Sequence, residues 1–119
     1  MFFHYWQNNS GGEFQVNDKV CQHVVVEADD PRHANDRARD IGLYFDGVSR
    51  HIDCECCGDR WRRQWIEEAG DVGPMINGLL VEDHTDTIFG EVGEVYCRVY
   101  YLDGKVEEFV QKEKVLTLF

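Results

Sequence analysis

The pattern of apolar residues along the chain predicts short strands near the N-terminus. Residues 2–7 are rich in aromatic side chains and residues 21–28 contain three consecutive valines, and both compositions are typical of strands. Residues 61–68 fit two patterns, because Trp61 and Trp65 share a face in a helix and also in a strand. Glycines bracket this short segment, which favours a strand. We also expect shorter strands at residues 13–16, 79–81, 85–89 and 115–119.

One principal helix is expected at residues 31–42. Asp30 can accept hydrogen bonds from the first free N–H groups of this helix. Pro31 suits the first helical position, because an N–H there would be unpaired anyway. The apolar residues that repeat at the spacing of one buried helical face are Ala34, Ala38 and Ile41. Gly42 is placed to end the helix in a left-handed conformation.

The C-terminal part of the chain predicts a β-hairpin. Two alternating runs, residues 95–102 and 105–111, flank Asp103-Gly104, which is the signature of a two-residue turn. That turn would place Tyr101 opposite Val106. The core face expected from this register consists of Val95, Cys97, Val99, Val106 and Val110. The second face carries aromatic residues that we expect to be exposed, namely Tyr96, Tyr100 and Phe109.

These elements together predict an α+β fold. The expected architecture is a mostly antiparallel sheet with one principal helix, at about residues 31–42, packed on it and a C-terminal β-hairpin. The length of 119 residues suits a single domain over residues 1–119. A chain of this size buries about two thirds of its unfolded surface, which is enough for one core.

The charge balance narrows the expected partners. The chain has 12 Lys and Arg against 23 Asp and Glu, and its formal net charge is −11. This balance argues against direct binding to nucleic acid or to an anionic membrane. Most of the excess lies in residues 64–119, which carry a net charge of −8, whereas residues 1–63 carry −3. The acidic half is a candidate surface for a protein partner, and the sequence leaves a homo-oligomer open.

The start of the chain and its cysteine count predict a reducing compartment. Residues 1–7 lack the basic and apolar regions of an export signal. No apolar run reaches the ~18 residues of a membrane span. The five cysteines are an odd number, which suits reduced thiols better than a disulfide framework. We therefore expect a cytoplasmic protein.

The densest chemical feature is the run HIDCECCGDRW at residues 51–61. Cys54 and Cys57 form a Cys-x-x-Cys followed by glycine, a spacing that lets two thiolates bind one zinc ion. A structural zinc site needs four ligands, and a second Cys-x-x-Cys is absent from the sequence. The residues that could complete the site are Cys56, His51, Cys21 and Cys97. Structural zinc is therefore one hypothesis, and packed thiols in an irregular segment at residues 48–60 are the simpler interpretation.

Arginines surround this cysteine segment. Seven of the eight arginines lie between Arg32 and Arg63, and their forked side chains match phosphate oxygens. Together with two tryptophans that could stack on a base, they form a candidate site for a small anionic ligand. That site comprises Arg50, Arg60, Trp61, Arg62, Arg63 and Trp65. The competing interpretation is that these arginines pair with the acidic residues around them, and the density of charge favours it.

No pattern in the sequence indicates catalysis. The five histidines are scattered along the chain, and Ser10 and Ser49 have no nucleophile context. Among 23 carboxylates, a pair that meets in space has no special meaning. We therefore expect a protein that is not an enzyme.

Four motifs of the chain are distinctive. They are YWQNNSGG at residues 5–12, GLYFDG at 42–47, DCECCGDRW at 53–61 and YYLDGKVE at 100–107. These motifs resemble a family of small tailed-bacteriophage proteins of unknown function. The resemblance implies a phage accessory protein in the cytoplasm of an infected bacterium, and it assigns no functional residue. Residues 61–69 depart from the family pattern because they are richer in Arg and Trp.

Three functions follow from these observations. The leading one is a non-enzymatic phage accessory protein that binds and modulates a host protein, in host takeover or in counter-defence. The second is a small-ligand binder that sequesters a phosphorylated or nucleotide signal at the arginine and tryptophan residues. The third is a zinc-stabilised interaction module.

Overall fold

The computed structural model describes residues 1–8, 14–83 and 93–110. Its elements in chain order are β1 (Phe2–Trp6), β2 (His23–Glu27), α1 (Pro31–Ile41), β3 (Met75–Ile76), β4 (Leu79–Leu80), one turn of 3-10 helix (Val81–Asp83), β5 (Val95–Tyr100) and β6 (Val106–Val110). Between α1 and β3 the backbone consists of turns and irregular segments. No helix in these ranges is long and apolar enough to cross a bilayer.

Four strands form one sheet in the order β1-β2-β5-β6. The outer pairs, β1 with β2 and β5 with β6, are antiparallel, while β2 and β5 run parallel. β3 and β4 form a separate small hairpin. The predicted α+β class, with a mostly antiparallel sheet, one principal helix and a C-terminal hairpin, is confirmed.

Alternating side chains of β2 enter two separate cores. Val24 and Val26 pack with α1, together with the buried Trp61. Val25 points to the opposite face and packs with residues of β5 and with the 3-10 turn. A strand that is covered on both faces has no polar side, which explains why three valines stand in a row.

α1 begins and ends at the predicted caps. The Asp30 carboxylate accepts the N–H of His33 at 2.8 Å, and Pro31 occupies the first turn. Gly42 follows the helix with φ at +126°, and its N–H donates to the carbonyl of Ala38 at 3.2 Å. The helix is therefore specified by local sequence signals at both ends.

The C-terminal hairpin is present, but its register differs by one residue from the prediction. Tyr100, and not Tyr101, lies opposite Val106. The loop has three residues, because the N–H of Tyr101 donates to the carbonyl of Lys105 at 2.8 Å across the base of the loop. Gly104 closes the loop with φ at +96°. Such a loop is the next most common hairpin connection after the two-residue turn.

This one-residue shift changes which side chains of β6 are buried. Val106 and Val110 were expected in the core, and both are exposed. Cys97 and Val99 of β5 are buried as predicted, while Val95 is half-buried. A shift of one residue moves every side chain of a strand to its other face, so the error in the turn caused the error in the core.

The aromatic residues of the hairpin are also less exposed than predicted. Tyr96 is buried, and Tyr100 and Phe109 are half-buried. An irregularity in the pairing between Val95 and Cys97 accompanies the burial of Tyr96 in the same core as Val99. The exposed aromatic face expected on this hairpin is therefore absent from the described residues.

The strand predicted at residues 61–68 is wrong. The segment is irregular, and its two tryptophans do not share a face, because Trp61 is 1% exposed and Trp65 is 68% exposed. The backbone of Gln64 pairs with a side chain of α1 instead of with a strand.

The shorter predicted strands have mixed outcomes. Leu79 and Leu80 form β4, as expected for residues 79–81. The described residues 14–16 form no strand, because β2 takes the place beside β1. Residue 13 and residues 85–89 and 115–119 lie outside the described residues.

Candidate functional site

Residues 64–69 form a ridge between two surface grooves. One groove lies against α1, has a volume of about 380 Å³ and is lined by Arg32, Arg39 and Arg63 among others. We call it the arginine groove. The other lies against β1 and has a volume of about 370 Å³, and we call it the β1 groove. Gln64 lines both grooves, so the ridge is the wall between them.

The ridge is fixed to the helix at Gln64. The side-chain amide of Asn35 donates to the Gln64 carbonyl at 2.9 Å and accepts the Gln64 N–H at 2.9 Å. The Gln64 side chain in turn donates to the carbonyl of His4 in β1. The N–H of Glu68 donates to the carbonyl of Trp65 at 3.0 Å, which closes a turn within the ridge.

The segment around the ridge is also fixed to the edge of the sheet. The N–H of Asn8 donates to the carbonyl of Arg60 at 2.8 Å, just beyond one end of β1. Phe2 and Asp71 exchange two backbone hydrogen bonds of 2.8 Å at the other end. Residues 60–71 therefore arch along the edge strand, and the β1 groove lies beneath the arch.

Two large apolar side chains stand on the ridge in contact with solvent. Trp65 is 68% exposed and its neighbour Ile66 is 77% exposed. Single exposed apolar residues are common on protein surfaces, whereas large contiguous apolar patches mark contact surfaces, and adjacent exposed residues contribute to such a patch. Trp6, which lines the β1 groove, is also exposed.

The arginines that the sequence grouped into one ligand site have different partners in the structure. Arg60 Nε lies 4.0 Å from the Asp53 carboxylate, and its Nη1 donates to Gln7 at 2.7 Å. Arg63 pairs with Asp46 and lies over the ring of Phe45. The two others, Arg50 and Arg62, are exposed. Pairing with acidic neighbours, the competing interpretation, therefore holds for Arg60 and Arg63.

Trp61, which was expected to line the ligand site, is buried. Its side chain is packed in the core between the sheet and α1, against residues such as Phe3 and Phe45. At 1% exposure it offers no ring face to a ligand. The sequence placed it beside Trp65 on a shared face, and the irregular backbone separates them.

Sequence reasoning missed two residues of the arginine groove. Arg32 and Arg39 belong to α1 and lie on one face of the helix, because they are seven residues apart. Together with Arg63 they line the groove. Asp36 lies between them and pairs with Arg39 at 3.1 Å. The lining carries three arginines and Asp36, and Asp46 pairs with Arg63 beside it, so these groups leave an excess of one positive charge.

The cysteine segment brings three thiols together. The Sγ atoms of Cys54, Cys56 and Cys57 all lie within 4.8 Å of one another, and these exposed residues could hold a metal ion. Hydrogen bonds from the Cys56 thiol and from backbone N–H groups lower the pKa of Cys54. Hydrogen bonding to Cys54 and Cys57 raises the pKa of Cys56 to about 11. Among the described residues, His51 does not join this group.

The two remaining cysteines do not complete this cluster. Cys21 and Cys97 are buried at the sheet, where desolvation raises the pKa of both thiols. Of the expected zinc ligands, the structure therefore assembles three.

The fold and this surface define a small α+β domain with a cysteine cluster and an exposed apolar ridge. The chain belongs to a family described as a domain of unknown function (DUF7296), whose family model matches residues 1–117. The expected membership in a family of unknown function is thereby confirmed. No curated protein and no solved structure matches the chain significantly.

Proposed function

We propose that the protein is a non-enzymatic binding protein that attaches to a partner protein through the ridge at residues 64–69. The observation that carries this proposal is the exposure of Trp65 and Ile66 on a backbone fixed by hydrogen bonds. Burying two such side chains in a complex removes their apolar surface from contact with water, which favours association. Tryptophan is also among the residues that dominate binding energy at interfaces.

The arginine groove indicates which groups the partner should carry at one margin of the interface. The arginine groove on one side favours acidic groups, since opposite charges at the rim of an interface speed association and select the partner. The partner we expect therefore has an apolar pocket for Trp65 and Ile66 with carboxylates at one margin. The net charge of −11 makes nucleic acid an unfavourable partner.

The motif resemblance to tailed-phage proteins supports a partner from an infected bacterium. We infer that the protein acts in the cytoplasm of that host and modulates a host protein, in host takeover or counter-defence. No catalytic step is required for this role, because occupation of the partner's surface is sufficient.

The proposal is tested by affinity capture with matched variants. The wild-type protein, a W65A/I66A double variant and an L102A control are immobilised and exposed to bacterial lysate at moderate salt. Leu102 is a fair control because it is exposed on the hairpin loop and lines neither groove. A host protein retained by wild type and L102A but lost from the double variant supports the proposal. Retention of no host protein, or equal retention by all three, contradicts it.

A second candidate function rests on the arginine groove. Its volume of about 380 Å³ and its three arginines suit a small phosphorylated ligand or nucleotide. Trp65 lies between Gln64 and Ile66, which both line the groove. Thermal-shift measurements with linear and cyclic nucleotides test it, because a ligand of the folded state raises Tm. The shift should disappear in an R32A/R39A variant and persist in R50A. Absence of a shift with every nucleotide removes this candidate.

A zinc-stabilised module is compatible with either role. The three clustered cysteines lie outside the ridge and do not line the arginine groove. Zinc bound there would stabilise the cysteine segment without occupying either surface.

A further inference from the structure

We propose that Cys54, Cys56 and Cys57 bind one zinc ion through three thiolates and leave its fourth coordination position open to an outside ligand. The Sγ atoms of Cys56 and Cys57 are 3.7 Å apart. Two sulfurs of a tetrahedral zinc site with Zn–S bonds of about 2.3 Å are separated by roughly 3.8 Å, so this pair is already at the required spacing. The Cys54 and Cys56 sulfurs, at 2.6 Å, must separate by roughly an ångström to reach the same spacing, which exposed side chains achieve by rotation.

The backbone turn places the three thiols on one side. The N–H groups of Cys57 and Gly58 both donate to the carbonyl of Cys54, at 3.3 and 3.1 Å. Gly58 has φ at +86°, a left-handed conformation that glycine adopts without a steric penalty. The chain therefore turns back directly after the third cysteine, and the three thiols come together within four consecutive residues.

The residues on both sides of the turn are anchored to the rest of the protein. Before the turn, the Asp53 carboxylate accepts the Tyr44 hydroxyl at 2.7 Å and the N–H of Arg60 at 2.8 Å. Within the turn, the side chain of Asn8 donates to the carbonyl of Cys57. A turn fixed in this way presents its thiols in a defined arrangement before an ion arrives, which lowers the entropic cost of binding.

The chemistry of three thiolates selects a soft or borderline ion, and zinc is the usual one for cysteine ligands. A closed structural site needs a fourth protein ligand. Among the described residues, neither His51 nor a carboxylate lies close enough to all three thiols to be a fourth ligand. Zinc sites with three protein ligands hold water or another molecule in the fourth position. Because all three cysteines are exposed, that position faces solvent and can accept a ligand from another molecule.

Metal analysis tests the inference. Protein purified without a His-tag from zinc-supplemented cultures is expected to contain one zinc per chain by elemental analysis. Titration of the apoprotein with Co²⁺ is expected to give the thiolate charge-transfer absorption. The C54S and C57S variants should each bind the ion more than about tenfold more weakly, since even groups that only hydrogen-bond to metal ligands contribute about that much. H51A should bind as wild type does, and added imidazole should change the cobalt spectrum by entering the open position.

Several results would overturn the inference. Zinc well below one per chain, in protein whose thiols titrate as reduced, rules out the site. A Cys54–Cys56 disulfide that persists under reducing purification also rules it out, because it removes two ligands. If H51A loses the ion as completely as C54S, the site is a closed one with four ligands. The W65A/I66A variant should keep its zinc, so failure of this inference and failure of the proposed protein-binding role are distinguishable.

Discussion

The side chain of Asn35 forms hydrogen bonds with both the N–H and the carbonyl of Gln64. Its amide donates to the Gln64 carbonyl and accepts the Gln64 N–H, each at 2.9 Å. One side chain thereby reproduces the pair of hydrogen bonds that a neighbouring strand would make. The same Asn35 oxygen accepts the hydroxyl of Tyr5 at 2.7 Å. A single amide therefore sets the position of the ridge relative to both α1 and β1.

Replacing Asn35 with alanine should destabilise the protein. The change removes the acceptor of the Tyr5 hydroxyl and both partners of the Gln64 backbone, so we expect the free energy of unfolding to fall by about 2–3 kcal/mol. Urea denaturation measures this loss. D36A is the control, because among the described residues Asp36 pairs with Arg39 at an exposed position, and the change should alter stability by less than about 1 kcal/mol. Equal stability of the two variants would show that the amide does not fix the ridge.

The two tryptophans of residues 61–68 should respond in opposite ways to truncation. W61A should lose about 3–5 kcal/mol of stability, because it empties a fully buried position. W65A should stay within about 1 kcal/mol of wild type, since Trp65 is mostly in solvent.

A second Trp61 variant separates ring packing from hydrogen bonding. The Trp61 indole N–H has no acceptor among the described residues, so W61F should retain much more stability than W61A. Acrylamide should quench the fluorescence of Trp65 and leave that of Trp61 nearly unchanged. A stable W61A variant would contradict the burial of Trp61, and an unstable W65A variant would contradict the exposure of Trp65.

The five thiols should fall into two reactivity classes in the metal-free, reduced protein. Cys54, Cys56 and Cys57 are exposed, whereas Cys21 and Cys97 are each 0% exposed. An alkylating reagent should therefore modify three cysteines in the native protein and all five after unfolding. Mass spectrometry of digested protein assigns the sites. Modification of Cys21 or Cys97 at the rate of the clustered cysteines would contradict their burial.

Stability should fall as the pH rises above 9. Burial raises the pKa of Cys21 from 9.0 to about 11, with Arg98 partly opposing the shift and Glu108 reinforcing it. Between these values the unfolded chain releases a proton that the folded chain keeps, so unfolding becomes more favourable with rising pH. The stabilisation is fully present below pH 9 and is lost as the pH passes about 11. Burial raises the pKa of Tyr96 from 10.0 to about 12, so the loss of stability continues until the pH passes about 12.

Variants assign this pH dependence to its groups. The slope of unfolding free energy against pH should be shallower in C21A between pH 9 and 11. It should be shallower in Y96F between pH 10 and 12. The slopes, and not the absolute stabilities, are compared, because each change also alters packing. If both variants keep the wild-type slope, neither group is responsible for the alkaline loss.

The elements that local sequence specifies were predictable. α1 has its cap at Asp30 and its terminating glycine at Gly42, and both signals act within a few residues of the helix ends. The hairpin was predictable from Asp103-Gly104, but its register was not, because the same dipeptide also ends a three-residue loop. β5 is buried on both faces, so its side-chain pattern could not reveal the register either.

The candidate site was predictable only where its residues are close in sequence. The cysteine cluster lies within four consecutive residues, and the spacing of Cys54 and Cys57 pointed to it. The arginine groove combines Arg32 and Arg39 of α1 with Arg63, which lies beyond a long irregular segment. That combination depends on the Asn35–Gln64 pair, a tertiary contact that leaves no periodic signal in the sequence.

The arch of residues 60–71 has a consequence for the solubility of the protein. β1 lies at the edge of the sheet, and an open edge strand is a template for strand addition between molecules. The bonds of Asn8 with Arg60 and of Phe2 with Asp71 tie the arch along that edge. The segment that presents Trp65 and Ile66 therefore also shields the β1 edge of the sheet from intermolecular pairing. Shortening it to remove the binding surface would expose the strand and promote polymerisation of the chain.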